Sequence, residues 1–112
     1  MANARRGEVD ATVAGRPFTL CLTLGSLAEL EAAFALDDLG ALAERFAAGR
    51  LGARDLARLF AAGARGGGHS VTEAEILAWP AATLGEVVSA VAALLAATFG
   101  DAPPNPPGPQ AA

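Results

Sequence analysis

Few side chains in this 112-residue chain have types suited to catalysis. It contains one cysteine, Cys21, and one histidine, His69, and all eight basic residues are arginine. The absence of lysine excludes a Schiff base and a lysine general base, and one cysteine forms neither an intramolecular disulfide nor a thiolate metal cage. A nucleophilic Cys21 would need both a base and an orienting acid. The sequence therefore predicts no catalytic residue, no cofactor and no metal site.

Residues 63–70 have the spacing of a phosphate-binding loop, except that His69 stands where such a loop has lysine. The motif also needs a preceding strand, whereas a helical pattern comes before this segment. We therefore interpret the glycines at 66–68 as a flexible linker after a helix, with His69 as a surface residue at its end.

Charge is distributed unevenly along the chain. The formal net charge is −4, but residues 41–69 carry five arginines against two acidic residues, and the flanking segments are acidic. Arg50, Arg54 and Arg58 are four residues apart and are expected to line one helical face. This face either docks on an acidic partner or is solvated and pairs within its own chain. Nucleic-acid binding through the same face is a further alternative, which the acidic chain disfavours.

Two runs of alternating apolar and polar residues, 8–13 and 18–23, flank a Gly/Pro turn at 14–17. Such alternation around a turn predicts a β-hairpin. The face that carries Phe18 and Leu20 must pack on another element, because a two-stranded hairpin alone is marginally stable in water.

The rest of the chain has helical periodicity. Apolar residues recur at helical spacing, capping boxes begin at Ser26, Thr72 and Thr83, and glycines suit the helix C-termini. The pattern predicts helices at about residues 27–36, 37–49, 53–65, 73–78 and 84–99. The predicted fold class is thus α+β, with an N-terminal β-hairpin followed by four or five short helices.

The chain is predicted to form a single small α+β domain over residues 1–100, followed by a disordered Pro-rich tail at 101–112. The longest apolar stretch, 87–99, is too short to span a bilayer, and the N-terminus lacks a secretory pattern. We therefore expect a cytoplasmic protein that has no membrane partner.

Several segments together resemble a family of small phage-tail proteins found in gene transfer agents and related tails. They are the run of residues 15–34, Leu36-Asp-Asp-Leu39, Phe46-Ala-Ala-Gly-Arg-Leu51 and the glycine-rich segment before Val71-Thr-Glu-Ala-Glu75. The resemblance covers about residues 4–99, and Trp79-Pro80 departs from its pattern. The family has been described both as a tail tube protein and as a tail assembly chaperone.

This resemblance implies a non-enzymatic role in building the tail of a gene transfer agent or prophage. A chaperone of this kind would bind the tape-measure protein, keep its apolar helices soluble and recruit tail tube subunits. An open hairpin edge would suit self-association by strand addition. The alternative is a structural component of the tail tube, for which we expect more β-structure than one hairpin. The expected location is the cytoplasm, and association with phage-like particles stays open.

Overall fold

The computed structural model describes residues 7–100, which form one β-hairpin and five helices. The elements are β1 (Val9–Val13), β2 (Arg16–Leu20), α1 (Leu24–Ala33), α2 (Gly40–Ala47), α3 (Ala53–Gly66), α4 (Glu73–Leu77), a 3₁₀ turn (Ala81–Thr83) and α5 (Leu84–Phe99). This architecture confirms the predicted α+β fold class. The tail predicted at 101–112 lies outside the described residues.

The hairpin is tighter than the sequence suggested. β1 pairs antiparallel with β2, in a register that sets Val13 opposite Arg16. The turn between them contains only Ala14 and Gly15, whose φ angles are 55° and 75°. Two successive positive φ angles match the twist of the flanking strands. Pro17, predicted as part of the turn, therefore belongs to β2.

The core lies between the apolar face of the hairpin, α3 and α5. Phe18 and Leu20 of β2, Phe60 of α3 and Leu94 of α5 are all at most 2% exposed. The rings of Phe18 and Phe60 meet edge to face, with centroids 5.1 Å apart. Strand alternation and helical periodicity thus direct the predicted apolar residues inward.

The C-terminal end of α3 packs so closely against β2 that the two backbones are in contact. The amide of Cys21 donates to the carbonyl of Gly63 over 2.9 Å. A Cβ added at Gly66 would overlap the carbonyl oxygen of Cys21, and one added at Gly67 would overlap that of Thr19. The prediction of a flexible linker here is wrong, because the glycines are what allows helix and strand to meet this closely.

Two helix starts differ from the predicted capping boxes. α1 begins at Leu24, three residues early, because the hydroxyl of Thr23 accepts a hydrogen bond from the amide of Ser26 over 3.0 Å. Before α5, the hydroxyl of Thr83 donates to the carbonyl of Pro80 over 2.7 Å, within the 3₁₀ turn. In both places, a different local hydrogen bond forms in place of the one that the predicted capping box requires.

The 3₁₀ turn and α5 together form an apolar run, Ala81–Phe99, of 19 residues with a mean hydropathy of 1.8. By length and composition this run is sufficient to cross a membrane. The apolar stretch at 87–99 that was identified from the sequence is shorter, so the prediction that it is too short to span a bilayer does not apply to the whole run. In the fold, α5 buries Val91, Leu94 and Leu95 and packs against β1 and α3. A core helix of a globular domain meets the same criteria of length and composition.

Candidate functional site: an apolar groove beside Trp79

An apolar groove of about 220 Å³ lies between the N-terminal ends of α3 and α5 and the short helix α4. No charged side chain lines it. The larger lining residues are Leu56, Ile76, Leu77, Trp79, Leu84 and Val87. Leu77 and Leu84 are 42% and 50% exposed, unlike most large apolar side chains in residues 7–100. The groove is therefore suited to an apolar ligand.

Local sequence signals place Trp79 at the edge of this groove. The hydroxyl of Thr72 accepts from the amide of Glu75, and the carboxylate of Glu75 accepts from the amide of Thr72, forming the predicted capping box of α4. Pro80 prevents the helix from continuing, because proline lacks an amide hydrogen and disfavours a helical residue before it. Trp79 follows Ala78, the C-cap residue of α4, with its ring edge-on to Phe60 at 5.6 Å.

The indole of Trp79 is half-buried, with one part against the core and another lining the groove. On the core side its ring lies 5.6 Å from that of Phe60 and 6.0 Å from that of Phe18. Within residues 7–100 its N–H makes no hydrogen bond.

The structure separates the three arginines of the predicted face. Arg50 lies in the loop before α3, so only Arg54 and Arg58 belong to that helix. The guanidinium of Arg58 lies 3.3 Å from the carboxylate of Glu73 and 5.9 Å from the ring centroid of Phe34. The expected helical stripe of three arginines is wrong, because α3 begins after Arg50. Arg58 also has partners within its own chain.

Arg54 follows Ala53, a lining residue of the groove, and is exposed. Arg58 likewise follows a lining residue, Ala57, but is paired with Glu73. Neither Arg54 nor Arg50 makes an ion pair within the described part of the chain. The pairing of Arg58 leaves Arg50 and Arg54 as the unpaired members of the three, whether the partner is an acidic protein or nucleic acid, and docking through them stays a prediction.

His69 is held in place by β2, so its interpretation as the end of a flexible linker is wrong. Its Nε2 accepts a hydrogen bond from the amide of Thr19 over 3.0 Å, and its ring lies 5.1 Å from that of Phe18. A nitrogen that accepts leaves the proton of the neutral ring on Nδ1. This contact links two segments that are 50 residues apart and gives His69 a structural role.

The two outer edges of the hairpin differ in what they offer to another strand. On β2, Pro17 has no amide hydrogen, and the amides of Thr19 and Cys21 already donate within the same chain. On β1, the register directs the backbone groups of Thr12 away from β2. Strand addition, expected from the sequence at the hairpin edge, is therefore restricted to β1.

The hairpin and helices form a small α+β domain, and a comparison with known families identifies its class. A family model described as "Phage tail tube protein, GTA-gp10" matches residues 6–101. The chain belongs to this family, which confirms the resemblance seen in the sequence, and it is a phage-tail protein of the gene transfer agent type. The family description names the tail tube, which is the alternative role considered from the sequence. No curated protein and no solved structure matches the chain.

Proposed function

We propose that this protein assists tail assembly by holding an apolar helical segment of the tape-measure protein in the groove beside Trp79 and by recruiting tail tube subunits. The exposure of Leu77 and Leu84 at the groove is the observation that carries the proposal. Exposed apolar surface at a concave site is typical of an interaction site. The role involves no catalysis and no cofactor, and it takes place in the cytoplasm while the tail is built.

The chemistry of the groove favours a helical partner with one apolar face. Such a helix places side chains at i, i+3, i+4 and i+7 into an apolar groove. Arg54, beside the groove, attracts acidic residues on the polar flank of that helix. An exposed charge of this kind influences association rate and orientation more than affinity.

A structural component of the tail tube is the second candidate, and the family description favours it. The strand content supports it less. Residues 7–100 contain one two-stranded sheet, and the outer edge of β2 has no free amide at residues 17, 19 and 21. A tube wall built from continuous sheets would depend on the edge of β1 alone.

Co-expression with the tape-measure protein tests the proposal. The chain is compared with a groove variant that carries Leu77→Ser and Leu84→Ser. The matched control is Leu24→Ser, which alters a leucine that is 85% exposed and does not line the groove. We expect the wild type and the control to keep the tape-measure protein soluble and to co-elute with it, and the groove variant to lose both properties.

Two results would overturn the chaperone role. One is a tape-measure protein that is equally soluble alone and forms no complex with the chain. The other is an unchanged complex with the groove variant. Rings or tubes formed by the purified chain, together with its presence in finished particles, would support the tube component instead.

A further inference from the structure

We infer that His69 is a pH-sensitive clasp. While its ring is neutral, it ties the segment before α4 to β2, and a second proton on the ring releases that segment and loosens the α4 wall of the groove. Nε2 of His69 accepts a hydrogen bond from the amide of Thr19 over 3.0 Å, and the ring packs on that of Phe18 with centroids 5.1 Å apart. His69 is half-buried, so protons from solvent reach it.

The hydrogen bond from Thr19 exists only while the imidazole ring is neutral. In that state Nδ1 carries the proton and the lone pair of Nε2 accepts. A second proton occupies Nε2, which then becomes a donor that faces the N–H of Thr19, so the bond is lost. Histidine is the side chain that ordinarily changes charge between pH 5 and 8. Because the contact requires the neutral ring, the closed clasp binds one proton fewer than the released one, and acid favours release.

The charged groups around His69 do not oppose this release. Asp10 of β1 lines the same hollow as His69 and accepts a hydrogen bond from the hydroxyl of Thr19 over 3.2 Å. Attraction to this carboxylate favours the charged ring and therefore favours release. The guanidinium of Arg16 in β2 lies 5.0 Å from the ring centroid of Phe18. On α3 and α4, the charged side chains nearest in sequence have partners in ion pairs or in the helix cap: Arg65, Glu73 and Glu75.

The clasp is connected to the groove both along the chain and through the core. Three residues after His69, Thr72 caps α4, the helix that supplies one wall of the groove. The ring of Phe18 also lies 6.0 Å from that of Trp79, which lines the groove. His69 and Trp79 therefore pack against the same phenyl ring, and release of His69 leaves both α4 and Trp79 less constrained. Acid should then weaken capture of the tape-measure protein, a consequence that rests on the proposed function.

Nuclear magnetic resonance tests the clasp directly, because the chain has one histidine and one tryptophan. The full-length protein is titrated from pH 7.5 to pH 5.5 while the ring nitrogens of His69, the amide of Thr19 and the indole of Trp79 are followed. We expect Nε2 to accept at pH 7.5 and the ring to gain its second proton on acidification. The protection factor of the Thr19 amide against hydrogen exchange should fall about tenfold or more. The indole N–H and the amides of α4 should shift with the same midpoint.

His69→Gln is the matched control, because its amide oxygen accepts a hydrogen bond and does not titrate. We expect this variant to keep the protection of the Thr19 amide and the signal of Trp79 unchanged between pH 7.5 and pH 5.5. Carboxylates ordinarily titrate near pH 4, so the comparison isolates the effect of His69. In thermal melts, the wild type should lose about 5 °C or more at the lower pH. The variant should melt at nearly the same temperature at both pH values.

Three results would overturn this inference. They are equal protection of the Thr19 amide with the ring neutral and charged, an indole and an α4 that do not respond when the ring gains its proton, and a His69→Gln variant that responds to acid as the wild type does. The wild-type titration decides the first two even if the variant does not fold. The clasp does not depend on what the groove binds. A working clasp combined with failure to capture the tape-measure protein at either pH would therefore contradict only the proposed function.

Discussion

The amide of Thr19 donates to Nε2 of His69 over 3.0 Å, on the outer edge of β2. A third strand would place a backbone carbonyl at this position, and here an imidazole from the segment after α3 takes its place. The ring of Phe18 packs on the same imidazole at 5.1 Å. The contact satisfies a half-buried backbone donor and fixes the segment that leads into α4.

Replacing His69 by alanine should therefore destabilise the fold. The amide of Thr19 would lose its acceptor, and we expect a loss of about 1–3 kcal/mol in the free energy of unfolding. His69→Gln, whose amide oxygen is an acceptor, should recover part of the loss. Urea unfolding followed by Trp79 emission measures both variants. An alanine variant as stable as the wild type would contradict the structural role of His69.

The close approach of α3 to β2 leads to a second prediction, which concerns Gly66 and Gly67. Gly66→Ala and Gly67→Ala each place a methyl group against a carbonyl of the strand, and we expect each to cost about 1–3 kcal/mol as an overpacked contact. Gly85→Ala in α5 is the matched control, because nothing lies within 4 Å of its added Cβ. Alanine is the better helix former, so this control should be as stable as the wild type or up to about 1 kcal/mol more stable.

Thermal melts of the three glycine variants, followed by circular dichroism, measure these differences. A Gly67→Ala variant that melts together with the wild type would mean that the helix and the strand are further apart than the structure places them.

The fold class and the longest helices could be predicted from the sequence because their signals are local. α3 and α5 have continuous apolar periodicity, and their bounds agree with the prediction to within one residue. The start of α1 was predicted wrongly, because the capping-box pattern at Ser26 placed it at residue 27, whereas Thr23 caps the helix and it begins at Leu24. Cap choice depends on how β2 leads into the helix, which short-range patterns do not contain.

The groove could not be predicted, because it is assembled from α3, α4 and α5. In the sequence, Leu84 continues the apolar periodicity of α5 and belongs to its expected core face, yet it is 50% exposed. The available signal for the groove was Trp79-Pro80 after the short helix α4. The proline ends the helix and leaves a half-buried aromatic ring beside it. The contact between Thr19 and His69 spans 50 residues and had no local signal of any kind.

Charge reversal should affect stability at Arg58 and association at Arg54, the two arginines near the N-terminal half of α3. Arg58→Glu removes an ion pair with Glu73 and sets two acidic side chains against each other, so we expect a loss of about 0.5–1 kcal/mol. Arg54→Glu breaks no ion pair within residues 7–100 and should leave the free energy of unfolding unchanged within about 0.5 kcal/mol. If the proposed function holds, Arg54→Glu should instead slow association with the tape-measure protein.

Urea unfolding measures the stability of the two arginine variants, and stopped-flow mixing at low and high salt measures association. A rate that neither Arg54→Glu nor added salt changes would remove Arg54 from the docking surface.

Substitutions on the core side of the groove should destabilise the fold more than a substitution at its rim. Phe60 is fully buried and lies edge-on to both Phe18 and Trp79, so Phe60→Ala should cost about 3–5 kcal/mol of stability. Leu56 is 7% exposed and lines the groove floor, and Leu56→Ala should cost about 2–5 kcal/mol. Leu84→Ser at the rim should cost less than either variant. Equal losses in denaturant midpoint at rim and core would mean that the rim is part of the core.

Removing the C-terminal segment should leave the fold intact. Residues 101–112 contain no large apolar side chain, and proline supplies no backbone donor, so a chain that ends at Gly100 should melt within a degree or two of the full-length chain. Melting curves of the two chains, followed by circular dichroism, measure this difference. A drop of many degrees in the truncated chain would mean that the segment stabilises the fold.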